Sequence, residues 1–208
     1  MQWEKFKDLF HESWHLKMQP FIESEACDNI YKFLKAESKR GKTIAPLSLN
    51  VYRCFIETSL DDLKVVMMGM APYHTLKNGS PVADGLLMGC STTGILQPSL
   101  TQFYGAIERE NYNGLCAYCD KTNPDVSYLA RQGVLMFNAS LTTEINKAGS
   151  HMHIWEPFTK YVIEEILNPT QVPYIFLGKD AAQYAKYANP DSITLIEKDL
   201  KQYDQIKE

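Results

Sequence analysis

The sequence predicts an α/β fold, with three α/β/α layers built around a central four-stranded parallel sheet. Short apolar runs alternate with stretches of helical periodicity through residues 63–198, which is typical of strands joined by right-handed helical crossovers. The first run is continuous rather than alternating, as expected for a strand covered on both faces. We expect a single domain over 1–208, with N-terminal helices over 1–60, the α/β core over 61–198 and a polar tail over 199–208.

The first sixty residues are predicted to be mainly helical. Large apolar residues recur at helical spacing, which indicates two amphipathic helices separated near Pro20, and a shorter helix is expected over 51–60. The residues that carry the first helical pattern are Trp3, Phe6, Phe10 and Trp14. His11 and His15 lie four residues apart, which is metal-ligand spacing. Because no third ligand is evident, we interpret them as exposed helix histidines.

The core is predicted to contain four strands, and the first of them leads into a polar loop. The strands are expected over 65–68, 134–137, 172–177 and 192–196, and the helices over 97–108, 155–167 and 181–187, with a further helix ending at 129–132. Gly69 to Pro72 turn the chain off the sheet at the carboxyl edge of the first strand, where open parallel sheets bind ligands. Pro98 near the start of a helix places free N–H groups beside this loop.

The overall charge gives no indication of nucleic-acid binding. The formal net charge is -4 and the pI is near 5.8. A basic cluster is present near Gly41, but its residues are typical of a solvated helix end. The cluster consists of Lys35, Lys39, Arg40 and Lys42.

The cellular setting is predicted from the cysteines and from the N-terminus. The five cysteines are odd in number and scattered, which indicates reduced thiols. The N-terminus has no signal-peptide pattern, and no apolar run approaches the roughly 20 residues needed to span a bilayer. We expect no membrane association and a cytoplasmic location, or the nucleus or a viral factory if the chain comes from a eukaryotic virus.

Two short patterns raise the question of a metal site. Cys116 and Cys119 form a CxxC, which is compatible with redox chemistry or with half of a zinc site. The sequence has no second CxxC, and His151 with His153 would complete a metal site only if the fold brought them close. We expect no metal and no cofactor.

Three segments together resemble the family 1 uracil-DNA glycosylases. The first, VVMMGMAPYH at 65–74, is similar to the family's strand followed by GQDPYH. The second, ARQGVLMFNASLT at 130–142, is followed by AGSH at 148–151 and WEPFT at 155–159, and is similar to the family's ARQGVLLLNxxLT, xxSH and WxxFT. The third, PSL at 98–100, is similar to a phosphate-contacting PPSL helix start. The resemblance implies the family's fold and its recognition of a base flipped out of DNA.

The resemblance also implies a base pocket whose catalytic groups are altered. Tyr73 would exclude a thymine methyl group, and Asn138 would read the polar edge of the base. Ala71 occupies the position of an Asp that stabilises the sugar cation in the family, and Met88 that of a stacking Phe in HGLAFS. Asp199 lies roughly where a late His donates to the uracil anion. The implied pocket is completed by Gly69, Met70 and Pro72.

Residues in several segments are expected to contact the DNA backbone, whereas two of the family's catalytic groups are replaced. The resemblance implies backbone contacts for Pro98, Ser99, His74, Ser150, His151, Gly178 and Lys179. Loss of one preorganised electrostatic group typically costs about 100- to 1000-fold in rate, and two such groups are replaced here. An Ala at the Asp position is also found in other branches of the superfamily, which keep activity and the late His.

We therefore expect a glycosylase-fold protein that is deficient in excision and acts by binding. It would bind DNA, including DNA with uracil or a modified base, or a replication or repair partner, as some viral relatives of the family do. The first alternative is an atypical active glycosylase that hydrolyses the N-glycosidic bond of uracil or a modified base. The second is a purely protein-binding module with a vestigial pocket. The acidic pI favours it, as does the absence after residue 196 of the late HPSP loop and the DNA-wedge loop that the family has. The sequence does not indicate an oligomeric state.

Overall fold

The structure, a computed structural model, describes residues 3–110, 121–192 and 194–197. Three residues singled out in the sequence, together with the predicted polar tail, lie outside these described residues: Cys116, Cys119 and Asp199. Within the described ranges, no helix combines the length and the apolar character that crossing a membrane requires.

A four-stranded parallel sheet forms the centre of the fold, and antiparallel pairs of short strands lie outside it. The strands are β1 Ile44–Ala45, β2 Val65–Gly69, β3 Leu76–Lys77, β4 Ser80–Pro81, β5 Val134–Asn138, β6 Thr143–Glu144, β7 Tyr174–Leu177 and β8 Thr194–Glu197. The order in the central sheet is β5-β2-β7-β8, and the antiparallel pairs are β1 with β6 and β3 with β4. The predicted fold class is confirmed, and the four core strands lie where the sequence predicts them to within about two residues.

Helices separate the strands of the central sheet. They are α1 His15–Ile22, α2 Glu25–Lys39, α3 Arg53–Glu57, α4 Pro98–Glu110, α5 Ser127–Ala130, α6 Met152–Tyr161 and α7 Lys179–Ala182. A π-helix, Val162–Leu167, continues α6, so the predicted helix over 155–167 is observed as an α-helix followed directly by a π-helix. The predicted helix over 51–60 is shorter than expected, because α3 covers only five of its residues.

The two inner strands are buried on both faces. Every residue of β2 and β5 after the first is buried, so neither strand has a solvent-facing side. Val66, Met68 and Phe137 are 0% exposed. A strand of continuous apolar residues needs such cover on both faces, which the helical layers supply. The carboxyl ends of these strands are therefore held rigidly.

The N-terminal segment differs from the prediction. Three short 3-10 helices replace the first amphipathic helix, and Phe10 between them is extended, with φ -136° and ψ 142°. This path lets Phe10 and Trp14 both pack on Phe55, at ring-centre distances of 6.0 and 5.0 Å. Burial of aromatic rings against the core outweighs the helical spacing of the sequence.

The predicted separation of two helices near Pro20 is displaced by a few residues, because Pro20 lies inside α1, which ends at Ile22. The boundary between the first two α-helices falls at Ser24, whose side chain accepts a hydrogen bond from the Cys27 N–H at 3.3 Å. Ser is a favoured N-cap residue because its oxygen satisfies one of the free N–H groups of the first turn. The capping serine therefore determines where α2 begins.

His11 and His15 are half-buried and support the fold, whereas the sequence suggested exposed positions. The His11 ring accepts from the Ser13 N–H at 3.3 Å and caps a 3-10 helix. The His15 ring lies within hydrogen-bond distance of the Lys7 and Phe10 carbonyl oxygens, at 3.0 and 3.2 Å. Both rings thus tie the N-terminal turns together.

Candidate functional site

The candidate site lies where β2 and β5 end side by side at the carboxyl edge of the sheet. Gly69 and Asn138, the last residues of the two strands, are register partners. The chain beyond them stays paired, because the Ala139 N–H donates to the Gly69 carbonyl at 2.8 Å and the Ser140 N–H donates to the Met70 carbonyl at 2.9 Å. Two residues that the sequence assigned to one base pocket are therefore neighbours.

Asn138 presents a buried amide to this edge. Its side chain belongs to a residue that is only 3% exposed, and among the described residues none donates a hydrogen bond to its Oδ1 atom. Leaving a buried acceptor without a donor typically costs about 1–3 kcal/mol. Such an amide is a feature that a ligand with a donor group would satisfy.

Gly69 is required at its position because two side chains lie against its Cα. A Cβ atom added there would be 2.3 Å from Leu87 Cδ1 and 3.1 Å from Asn138 Oδ1. The approach of these atoms also shows that Leu87 packs beside the Asn138 amide. Sequence reasoning did not single out Leu87, although the family motif HGLAFS has the much smaller Ala at this position.

Met88, the predicted replacement for the stacking Phe, lies in a constrained backbone. Its φ is 60°, in the left-handed region that non-glycine residues rarely adopt. Only 7% of the residue is exposed. Leu87 beside it donates its N–H to the Met136 carbonyl at 3.0 Å, which docks this part of the chain on β5. Strained conformations of this kind concentrate at functional sites.

A buried ion pair holds the return segment, residues 84–91, in place. Arg53 Nη1 lies 2.8 Å from Asp84 Oδ2, and Arg53 Nη2 lies 3.0 Å from Asp125 Oδ1. Burial disfavours the charge on Arg53, but the surrounding carboxylates together raise its pKa above the ordinary value. The Asp84 carboxylate also accepts from the Leu86 and Ser91 N–H groups, at 3.1 and 3.0 Å. The sequence analysis did not predict this network. The feature that could have indicated it is Asp84, which stands where the family motif HGLAFS begins with His.

Tyr73 joins the loop after β2 to the amino end of α4. Its hydroxyl group is hydrogen-bonded to Ser99 Oγ. Burial raises the pKa of Tyr73 above its ordinary value, so the side chain stays neutral near pH 7. The predicted base-pocket tyrosine and the predicted phosphate-contacting serine are thus in contact. Pro98, which precedes Ser99, is exposed.

The loop after β2 is also connected to residues 144–150. The Asn146 N–H donates to the His74 carbonyl at 2.7 Å, and Ser150 Oγ accepts from the Glu144 N–H at 2.9 Å. A Cβ added at Gly149 would lie 3.4 Å from Met70 Sδ, so the Met70 side chain covers this glycine. His74, Ser150 and Met70 are all partly exposed.

His151 is placed differently from the other predicted backbone contacts. It is 1% exposed, and its Nδ1 atom lies 2.9 Å from Thr142 Oγ1, which also accepts from Trp155 Nε1 at 2.7 Å. Burial lowers the pKa of His151, so the neutral imidazole is favoured. Its role as a DNA contact stays a prediction that its burial argues against.

The third strand of this edge contributes Gly178 and Lys179. Gly178 follows β7 with φ 85°, in the left-handed region that favours glycine, and Lys179 is exposed. Pro72 is buried, and Ala71 is half-buried. This edge thus presents an exposed cation, Lys179, and a buried amide, but Ala71 supplies no carboxylate. Within the described part of the chain, no three His, Cys, Asp or Glu side chains cluster as metal ligands would.

Comparison with known proteins gives the family. No protein-family model matches the chain. The uracil-DNA glycosylase of Francisella tularensis subsp. tularensis is 34% identical over 170 residues, which cover 79% of this chain and 70% of that protein. The chain belongs to the uracil-DNA glycosylase family. A second glycosylase of this family, from Francisella philomiragia, is 35% identical over 153 residues, which cover 73% of this chain and 64% of that protein.

Solved structures of uracil-DNA glycosylases have the same fold as this family member. The mimivirus uracil-DNA glycosylase superposes with a TM-score of 0.84 at 19% identity, covering 98% of this chain and 72% of that one. The UNG of Nitratifractor salsuginis gives a TM-score of 0.65 at 14% identity, covering 95% and 87%. A mimivirus UNG variant solved in complex with UGI gives a TM-score of 0.84.

Proposed function

We propose that this member of the uracil-DNA glycosylase family binds DNA at the carboxyl edge of its sheet without efficient excision of uracil. The observation that carries the proposal is the buried Asn138 amide, whose Oδ1 atom accepts no hydrogen bond from the described residues. Uracil presents an N–H donor on the edge that pairs with adenine. Enzymes that bind flipped bases read this edge through hydrogen bonds.

The proposal separates binding from chemistry because the two depend on different residues. Breaking the glycosidic bond develops positive charge on the sugar and negative charge on the base, and preorganised charges favour that transition state. Ala71 has no charge to offer to the sugar. The Asn138 amide and the neutral Tyr73 hydroxyl are both retained, and they suit recognition of a neutral base. Binding is therefore retained where stabilisation of charge is reduced.

DNA would approach along the exposed part of this edge. Lys179 is exposed after β7, and Pro98 and Ser99 form the amino end of α4 beside Tyr73. Cations and free N–H groups of helix ends are common contacts for phosphate. Because Lys179 would neutralise a phosphate, we expect the affinity for DNA to fall as salt increases, and the modest charge of this surface predicts a shallow slope.

The second candidate is an active atypical glycosylase. Its support is the 34% identity to a curated uracil-DNA glycosylase over 79% of this chain. In this reading the backbone near Ala71 would hold the attacking water, and Asn138 would select the base. Leu87 distinguishes the two candidates, because Leu87 Cδ1 and Asn138 Oδ1 both lie against the Cα of Gly69, and we expect a bulky side chain there to limit the entry of a base.

One experiment separates the candidates. Fluorescein-labelled oligonucleotides that differ only by uracil or thymine are titrated with protein, and abasic product is measured in the same samples. We expect roughly tenfold tighter binding of the uracil oligonucleotide. Asn138→Ala should remove this preference, whereas Asn29→Ala, the same change on the exposed side of α2, should keep it. Leu87→Ala should strengthen the preference by making room beside the amide.

Each alternative has its own result. Excision at a rate near that of ordinary family members, abolished by Asn138→Ala, would contradict the proposal and favour the atypical glycosylase. Equal and salt-insensitive binding of both oligonucleotides, or no binding, would favour a protein-binding module. Circular dichroism of each variant shows whether the fold is kept.

A further inference from the structure

An apolar groove lies between the N-terminal turns and α2, and it shares no lining residue with the candidate base site. Its volume is about 530 Å³, and Phe6 and Leu9 line one side of it. The floor is formed by Ile30, Tyr52 and Trp155, which are 3%, 8% and 0% exposed. The groove is thus built on core residues whose positions are fixed by packing.

A second cavity of about 290 Å³ extends this groove. The two share four lining residues, Leu34, Ser38, Ser48 and Val51, and the second reaches Thr142. The combined depression is long and open rather than compact. A long open groove suits an extended or helical segment, whereas small-molecule sites enclose most of their ligand.

The charged residues that line the groove all have the same sign. Among the described residues that line the two cavities, the only charged ones are Lys35, Lys39 and Lys42. Lys42 is paired with Glu37 and with Glu144, the latter at 3.2 Å, so Lys35 and Lys39 provide the available positive charge. This local charge contrasts with the net charge of -4 for the whole chain. These lysines therefore favour an occupant of negative charge.

Exposed apolar side chains continue the surface around the groove. Tyr31, which lines it, is 50% exposed, and Leu47 and Leu49, which flank Ser48, are 47% and 79% exposed. Large apolar side chains that lie together at a surface mark sites of protein association more often than isolated ones do. An occupant of this groove would cover them.

We propose that this groove binds a short acidic segment of a partner protein, whose apolar side chains enter the cleft while its carboxylates meet Lys35 and Lys39. Apolar anchors supply the affinity in such grooves, and opposite charges at the rim determine orientation and exclude basic partners. This inference does not depend on the base site. It gives the protein a second surface, through which a partner could be held while DNA is bound.

The test begins with a phage-displayed library of random peptides of about 12 residues, selected on the immobilised full chain. We expect enriched peptides that combine Asp and Glu with large apolar residues. A fluorescein-labelled synthetic copy is then titrated by anisotropy. The double change Lys35→Glu and Lys39→Glu should weaken its binding at least about tenfold, and Ser38→Trp, which fills the groove from an exposed position, should do the same.

The matched control is Lys32→Glu, since Lys32 is an exposed lysine of α2 that does not line the groove. It should leave peptide binding unchanged. Enrichment of no sequence, enrichment of basic sequences, or equal binding by all variants would overturn the proposal. Concentration-dependent dimerisation in sedimentation velocity that Ser38→Trp abolishes would also overturn it, because the occupant would be a second copy of this chain. If Ser38→Trp does not fold, the double lysine variant decides.

Discussion

The loops that leave the neighbouring strands β2 and β5 differ in burial and in what they retain of the family motifs. The five residues after β5, from Ala139 to Thr143, are each at most 2% exposed. In the loop after β2, Ala71 and Tyr73 are half-buried, and the chain from Thr75 to Gly79 is exposed. The buried loop keeps the family's N-x-x-L-T pattern, whereas the more exposed loop has Ala71 in place of the family's Asp.

This difference indicates which residues are constrained by the packing and hydrogen bonds of the fold. In the loop after β5, Thr142 accepts from Trp155 and Thr159 donates to the Ala139 carbonyl at 2.6 Å, so changes there disturb packing. Ala71 is half-buried, and its side chain takes part in no such network. The packing of the described residues around Ala71 therefore does not depend on a carboxylate at this position.

The largest effect on the free energy of unfolding is expected from breaking the Arg53–Asp84 ion pair, which holds the return segment in place. Arg53→Met leaves the Asp84 carboxylate, 1% exposed, without its cation. Breaking a buried pair in this way costs about 3–5 kcal/mol of unfolding free energy, measurable by urea titration. Arg131→Met is the matched control, because this arginine is 60% exposed and pairs with Glu57 at the surface. Its cost should be under about 1 kcal/mol. Equal costs would show that the Arg53 pair does not hold the segment.

A matched threonine pair tests the two loops directly. Thr142→Val removes the oxygen that accepts from Trp155 Nε1 and contacts His151 Nδ1, both buried. We expect a loss of about 1–3 kcal/mol in urea unfolding, because these polar groups lose their partner. Thr75→Val, the same change at an exposed position after β2, should stay within about 0.5 kcal/mol. A reversed order would contradict the contrast between the loops.

A carboxylate introduced at position 71 tests the loop after β2 through its effect on uracil excision rather than on stability. Ala71→Asp should raise the rate of uracil excision by about tenfold, less than the 100- to 1000-fold typical of one electrostatic group, because such groups act together. The assay counts abasic sites in uracil-containing single-stranded DNA over time. Ala71→Asn has the same shape without charge and should not raise the rate. If both variants behave alike, charge at this position is not what limits excision.

The smallest effect concerns pH. Burial lowers the pKa of His151, so the unfolded chain binds a proton at this residue more readily than the folded chain does. The free energy of unfolding should therefore decrease as pH falls below about 6.5, by at most about 1.4 kcal/mol per pH unit, until the lowered pKa is reached. His151→Gln should remove this part of the pH dependence. His153→Gln, at an exposed neighbour, is the control; an unchanged profile for His151→Gln would contradict the prediction.

Much of the site was predictable from the sequence because its motifs are local. The segment from Val65 to His74 contains a strand and a turn whose residue types dictate their own conformation. The adjacency of Gly69 and Asn138 followed from the parallel pairing of two predicted strands. The N-terminal path could not be predicted, since Phe10 is extended in order to reach Tyr52 and Phe55, which come forty residues or more later.

By itself, the sequence determined the parallel sheet, the edge of that sheet at which we propose that a ligand binds, and the absence of a carboxylate at Ala71. These depend on apolar runs, turn residues and the identity of one side chain, all of which can be read along the chain. Only the tertiary structure decided that Leu87 lies beside the Asn138 amide, that Arg53 pairs with Asp84 and that a lysine-edged groove borders α2. Each of these joins residues remote in sequence, and packing in three dimensions selects such contacts.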